Sequence, residues 1–206
     1  MTFKEITDNE VERIDRLQSE YFSKYMHLFD PPLSDGVPER LEKIVRSASI
    51  SGTDVVLDMG AGTGILIPLI LKYGPALIYA NDLSEKMLKS VKKDYPDVRT
   101  LTGDIRDLKL PDQTIDVIFV NACYPNIVDK HGSFTNIRRI TKTGCRVVIS
   151  HPMGGAFINF LQEKVPFPLD GFPENKTAAR NLFESYGFKV SKFVNEDKLY
   201  ILVLEG

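Results

Sequence analysis

An α/β fold is predicted: a doubly wound, mostly parallel seven-stranded sheet closed by a C-terminal antiparallel β-hairpin. Three observations carry it. Strand and helix signals alternate between residues 54 and 150, the pattern of βα units around a parallel sheet. The run "VVLDMGAGTG", Val55 to Gly64, sets β-branched apolar residues against a loop of small residues, as where a strand turns tightly into a helix. The tail breaks the alternation, because two strand-like runs, "FKVSKFV" and "LYILVLEG", are joined by the tight polar "NEDK".

Taken in order, Thr7 and Glu10 have capping-box spacing, and Val11, Ile14, Gln18, Tyr21, Phe22 and Tyr25 follow near helical period, predicting a helix over 8–29. "DPPLSDGVP" ends it, and Pro38 with Leu41, Ile44, Val45 and Ala48 marks a second helix. Then come strand 54–60, helix 64–73, strand 76–81, helix 84–95 capped by Ser84, strand 98–103, strand 115–121, helix 131–141 and strand 145–150. A helix over 174–186, with Gly187 at its C-terminal cap, precedes the hairpin. Pro68 breaks a local rule, lying too deep in the helix after the glycine loop. The 206 residues read as one domain, with 1–50 as an N-terminal helical cap and 153–173 as an insertion on one side.

Composition narrows the function classes. With 43% hydrophobic residues and a formal net charge of -2, the chain is neither disordered nor attracted to polyanions, so a nucleic-acid partner is disfavoured. The cluster Arg138, Arg139, Lys142, Arg146 reads as a solvated surface. Cys123 and Cys145 flank apolar runs and are expected as small core residues in a reducing cytoplasm. The polar N-terminus does not read as a signal peptide, and no apolar run approaches the roughly 18 residues a bilayer span needs. A monomer or homodimer without membrane contact is expected, and no metal site is predicted.

The chemistry concentrates at the strand ends. Gly60, Gly62 and Gly64 let backbone turn tightly and approach a ligand, and Asp58 just before them attracts a cation where a phosphate would be repelled. The next strand ends in "YAND", placing Asp82 where an acid takes both hydroxyls of a ribose, with Leu83 beside it. The spacing G-x-G-x-G departs from the dinucleotide fingerprint, whose third glycine would fall at Ile65. The third strand ends in "TGDI", so Asp104 can accept from an adenine amine and Ile105 can cover its face. Acids from three strands around one crevice suit a cationic nucleoside.

On "VLDMGAGTG", the acid of "YANDLS", "TGDI", "IDVIFVNA" and the ending "LFESYGFKV" before a hairpin, the chain from about Val55 to Gly206 resembles the class I S-adenosylmethionine-dependent methyltransferases of Rossmann-like fold. The resemblance implies that Asp58, Gly60, Gly62 and Gly64 surround the methionine moiety, that Asp82 and Leu83 hold the ribose, and that Asp104 and Ile105 contact the adenine. Asn121 joins this cofactor set at the end of the fourth strand.

The methyl acceptor is expected beyond the carboxyl ends of the fourth and fifth strands. Asn121 to Tyr124 occupy the place where amino-group methyltransferases of nucleic-acid bases carry Asn/Asp-Pro-Pro-Tyr/Phe, but the prolines are missing here. His151 and Tyr124 are the candidate catalytic residues, with His131 behind them, although displacement at a sulfonium needs no obligatory base. Tyr21, Tyr25 and His27 are the candidate wall from the first helix, with core packing as the alternative. The leading expectation is a methyltransferase acting on a small molecule. The alternatives are a nucleic-acid or protein amino-group methyltransferase, an NAD(P)-dependent oxidoreductase, and a non-catalytic S-adenosylmethionine-binding module.

Overall fold

A computed structural model describes residues 6–28 and 32–206. Its sheet is built from β1 (Val55–Met59), β2 (Leu77–Asp82), β3 (Arg99–Thr102), β4 (Ile115–Asn121), β5 (Thr141–His151), β6 (Lys189–Glu196) and β7 (Leu199–Glu205). The spatial order is β3-β2-β1-β4-β5-β7-β6. The first five strands are parallel, and β7 runs antiparallel between β5 and β6, so the expected hairpin closes the sheet. The order reverses between β1 and β4, opening a crevice at their carboxyl ends.

Alternate residues of the central strands face opposite layers, as pleating requires. Ile118, Val120, Val147 and Ile149 point into one core with Phe134 and Ile137 of α5 (Lys130–Ile140) and Phe183 of α7 (Lys176–Phe183). Val117, Phe119 and Val148 point into the other, against α2 (Val37–Arg46), α3 (Ile67–Leu71) and α4 (Glu85–Asp94). Buried on both faces, these strands need continuous apolar runs, which "VIFV" and "VVI" supply.

Several expectations are corrected. The first helix, α1, spans Asp8–Tyr25 and is followed by a 3-10 turn at Met26–Leu28; Phe29, where the predicted helix ended, lies outside the described residues. Thr7 makes no side-chain cap, and its carbonyl instead accepts from Glu10 and Val11. The helix after the glycine loop is α3, much shorter than 64–73. Because it starts at Ile67, Pro68 stands in its first turn, where a missing N–H costs nothing. A short α6 (Phe157–Gln162) arises inside the 153–173 insertion.

The four basic residues of 138–146 are partly exposed, and each also has a partner within the protein. Arg139 donates to Leu108 O and Leu110 O and pairs with Asp112, Lys142 pairs with Asp116, and Arg146 pairs with Asp54 while donating to Ala48 O and Ser49 O. Arg138 lies over the Phe188 ring. No helix among the described residues is long and apolar enough to cross a membrane.

Candidate functional site

At the carboxyl edge of β1 the three glycines all take positive φ, at +66°, +56° and +93°, a region that disfavours any side chain. Their surroundings differ. A Cβ at Gly60 would collide with the Cys123 sulfur, and one at Gly64 would lie 2.8 Å from Ile67 Cδ1, whereas one at Gly62 would meet nothing within 4 Å. Gly60 and Gly64 therefore let the loop sit tightly on protein, and Gly62 leaves it open toward the crevice. The helix that follows the loop, α3, has only five residues.

Asp82 organises the loop. One carboxylate oxygen accepts from the Gly62 N–H at 2.9 Å and the other from the Ser84 N–H at 2.8 Å, while the Ala61 N–H donates to Asn81 O. Burial raises the Asp82 pKa, and backbone N–H donors partly offset the rise. Beneath it Asp58 is 2% exposed, and its Oδ2 is buried with no hydrogen-bond partner. Burial first, then the neighbouring Asp82 charge, pushes the Asp58 carboxyl up to about 8. A buried oxygen without a donor is costly, and a cationic or N–H-bearing ligand group would supply one.

Two adjoining cavities follow the sheet edge. The first, about 370 Å³ of empty space, is walled by Asp82, Leu83, Gly103, Asp104, Ile105 and Val128, among others. Asp104 both lines this cavity and caps the 3-10 turn Ile105–Asp107 by accepting from Arg106 N, so its turn role and its candidate binding role coexist. The second cavity, about 820 Å³, lies between the glycine loop and α1 and includes Thr63, Ile65, Asn121 and Cys123. Asn121 accepts from the Ser150 hydroxyl at 3.0 Å. Of the nine predicted cofactor residues, Gly60, Gly62, Asp82, Leu83, Asp104, Ile105 and Asn121 line these cavities; Asp58 and Gly64 are not on their walls.

The donor set fits a nucleoside cofactor: acids at two strand ends face the cavities, Ile105 and Leu83 give apolar cover, and Asp58 keeps an unpaired oxygen below. Asp82 and Asp104 would hold polar groups of such a ligand, and Ile105 would lie along a base.

The two candidate catalytic residues lie elsewhere. Tyr124 is 2% exposed, stacked on Phe172 at 5.5 Å between ring centroids, with the Lys130 ammonium 4.9 Å from its ring. Burial drives its hydroxyl pKa far above the ordinary range. His151 is 4% exposed between Phe157 and Phe172, its Nδ1 accepts from Met153 N, and burial lowers its pKa to about 4. Neither lines either cavity. His131 instead meets the Tyr186 hydroxyl at 2.7 Å.

Of the stripe expected along α1, Gln18 and Phe22 line the cavity, joined by Asp15 and Ser19, which the sequence did not single out. Asp15, Gln18, Ser19 and Phe22 face the cavities, an i, i+3, i+4, i+7 stripe that was legible as a helical face. Tyr21 and Tyr25 pack on each other, and Tyr21 meets Phe167 edge-on at 5.5 Å. Cys145 is a core residue as expected, but Cys123 belongs to the cavity wall.

Comparison with known proteins agrees with this geometry. Residues 57–149 match the family described as "Methyltransferase domain". An uncharacterized methyltransferase of Schizosaccharomyces pombe is 27% identical over 177 residues, covering 81% of this chain and 68% of that protein. A demethylmenaquinone methyltransferase of Paenarthrobacter aurescens is 32% identical over 135 residues, covering 64% of this chain, so that the chain spans about half (53%) of that relative. Among solved structures, a chain from the Haloferax volcanii complex between the Trm112 methyltransferase activator and a methyltransferase superposes with a TM-score of 0.75 at 16% identity, covering 91% of this chain and 96% of that one. An S-adenosylmethionine-dependent methyltransferase of Aquifex aeolicus superposes at 0.65 with 20% identity, covering 88% and 96%. At these identities the structural likeness speaks for the fold.

Proposed function

We propose that this chain is a class I S-adenosylmethionine-dependent methyltransferase that moves the sulfonium methyl group to a small-molecule acceptor by direct displacement. The observation that carries the choice of acceptor is the loop after β4. Ala122 has φ +52°, a conformation that a proline ring cannot take, and Tyr124 is locked in the core. The stiff proline loop and exposed stacking ring that would grip a flipped base are therefore not available, and the basic side chains nearby are spent on internal partners.

The cofactor brings an activated methyl group on a positively charged sulfur. What this chain supplies is placement. Asp82, Leu83, Asp104 and Ile105 hold the nucleoside end, and Gln18, Ser19 and Phe22 close the space above the glycine loop. Alignment of two reactants accounts for most of the acceleration such a displacement needs. The second cavity is lined mainly by neutral side chains, including Thr63, Ile65, Met87 and Asn126, and favours an acceptor that is uncharged and partly apolar. The Cys123 thiol is held protonated by burial and by the surrounding carboxylates, and so is no nucleophile. The segment 153–173 supports the acceptor side indirectly, because its Phe167 braces Phe22 of the cavity wall.

A second reading, a quinone-type ring as acceptor, is favoured by the relatives named demethylmenaquinone methyltransferase and by the same neutral lining. The two unpaired cysteines support a reducing, cytoplasmic setting. The few large apolar side chains exposed among the described residues, Leu71, Tyr73 and Phe160, support a monomer or homodimer. A methyl-transfer screen with labelled cofactor against small amines, thiols, phenols and a short-chain demethylmenaquinone, run beside tRNA and duplex DNA, tests the reading. Turnover is expected on a small molecule; turnover confined to nucleic acid would overturn it.

A further inference from the structure

Gln18 interrupts the apolar face of α1. The buried residues of this helix, Val11, Ile14 and Gln18, follow one another at i, i+3 and i+7, and only the last is polar. At 2% exposure its amide has little access to water and needs partners in the protein or in a ligand. The nitrogen has one, because Nε2 donates to Asn126 O at 2.9 Å. A carbonyl oxygen can only accept, so this bond fixes the amide nitrogen toward Asn126 and turns Oε1 the other way. No group among the described residues donates to Oε1. Unlike Asp58 Oδ2, this oxygen is not sealed within the protein, since Gln18 stands in the walls of both cavities.

Six residues are common to the two walls: Gln18, Gly60, Asp82, Leu83, Cys123 and Asn126. They mark the junction between the cavities. With a nucleoside held in the first cavity by Asp82 and Asp104, the amino-acid tail of the cofactor reaches the second cavity through that junction. The tail brings one hydrogen-bond donor, because its carboxylate only accepts, its sulfur carries no proton, and its ammonium alone donates. Other side-chain acceptors along the passage are already engaged, both Asp82 oxygens by backbone N–H groups and Asn121 by the Ser150 hydroxyl. Asn126 is half-buried, within reach of water.

We propose, on the methyltransferase reading of the site, that Gln18 is a cofactor-positioning residue whose Oε1 accepts a hydrogen bond from the amino-acid ammonium and fixes the tail at the junction. The negative end of the amide dipole then meets a cation, and a buried oxygen that lacks a donor in the free protein gains a charged one. The seat of α1 does not depend on this residue. Ser19 donates to Leu83 O, Ser23 shares a 2.6 Å hydrogen bond with Ser84, and Val11 and Ile14 bury the apolar face.

The test is a calorimetric cycle on the intact chain, wild type against Gln18→Met, with S-adenosylhomocysteine against its deaminated analogue, which keeps the carboxylate and lacks the ammonium. Deamination should weaken wild-type binding at least about tenfold and Gln18→Met binding less than about threefold, the scale of one hydrogen bond to a charged group. A merely structural Gln18 would weaken both ligands alike, and an equal deamination penalty in the two proteins overturns the proposal while the cofactor site stands. Should Gln18→Met fail to fold, Gln18→Glu carries the test, because a carboxylate in place of the amide should enlarge the penalty at least about threefold. An unchanged or smaller penalty in that variant overturns the proposal. No binding of S-adenosylhomocysteine to the wild type overturns the cofactor reading itself.

Discussion

Each carboxylate oxygen of Asp82 already accepts one backbone N–H, from Ser84 and from Gly62, so the side chain is held in place before any ligand arrives. Removing it takes away both the ligand contact and the anchor of the glycine loop. Asp82→Ala should cost about 1.5–3 kcal/mol of S-adenosylhomocysteine affinity by calorimetry, the scale of hydrogen bonds to a charged group. Unchanged affinity would make Asp82 purely structural. His151 behaves differently, because it is packed between aromatic rings, off the cavity, and neutral down to about pH 4. His151→Ala should lower the melting temperature yet reduce turnover less than tenfold, with the pH profile between 5 and 8 unaltered. A loss of a hundredfold with fold and cofactor affinity intact would make it a catalytic base.

At the scale of elements, the glycine loop divides the work of its residues. Ala at Gly60 would meet Cys123 as well as a strained φ, whereas Ala at Gly62 has open space and pays only the backbone strain, on the order of 1 kcal/mol. Urea unfolding should therefore rank Gly60→Ala well below Gly62→Ala in stability, and equal losses would mean that Cys123 yields easily. The same region shows what sequence can and cannot disclose. Strand ends carrying Asp82 and Asp104 were legible because the short runs "LIYA" and "VRTLT" stop at polar residues and glycine. The length of α3 was not, because Ile65 and Leu66 look helical while the chain is still turning. Between a cavity wall and core packing, the α1 tyrosines take core packing, for a related reason. Tyr21 and Tyr25 fit a helical stripe, and only the packing of Phe167 decides that they lie beside the cavity and that Asp15, Gln18 and Ser19 face it. The off-cavity placement of Tyr124 and His151 depends likewise on Phe172, which comes from a distant segment.

For the whole molecule, pH should act through buried acids. Asp58 keeps its proton up to about pH 8 in the folded state, while the unfolded chain releases it near the ordinary carboxyl value of 3.8. The folded state then binds more protons across that window, so this contribution to stability is full below about pH 4 and is lost as pH rises toward 8. Urea unfolding of the free protein at pH 5, 7 and 8.5 should show stability falling, and Asp58→Asn should flatten the fall; an equally steep decline in the variant would assign it to other groups. Net charge -2 and internally paired arginines also leave little counterion-release drive for a polyanion, so tRNA binding at about 150 mM salt should be weak and unsaturable. The G-x-G-x-G loop and the acids after β2 and β3, with Asp58 buried beneath them, are proposed as the site for a cationic sulfonium nucleoside and its product. Isothermal calorimetry with S-adenosylhomocysteine and NAD on the same preparation tests it most directly. Micromolar-range binding of S-adenosylhomocysteine with no detectable heat from NAD is the result expected; NAD binding tightly while S-adenosylhomocysteine does not would contradict it.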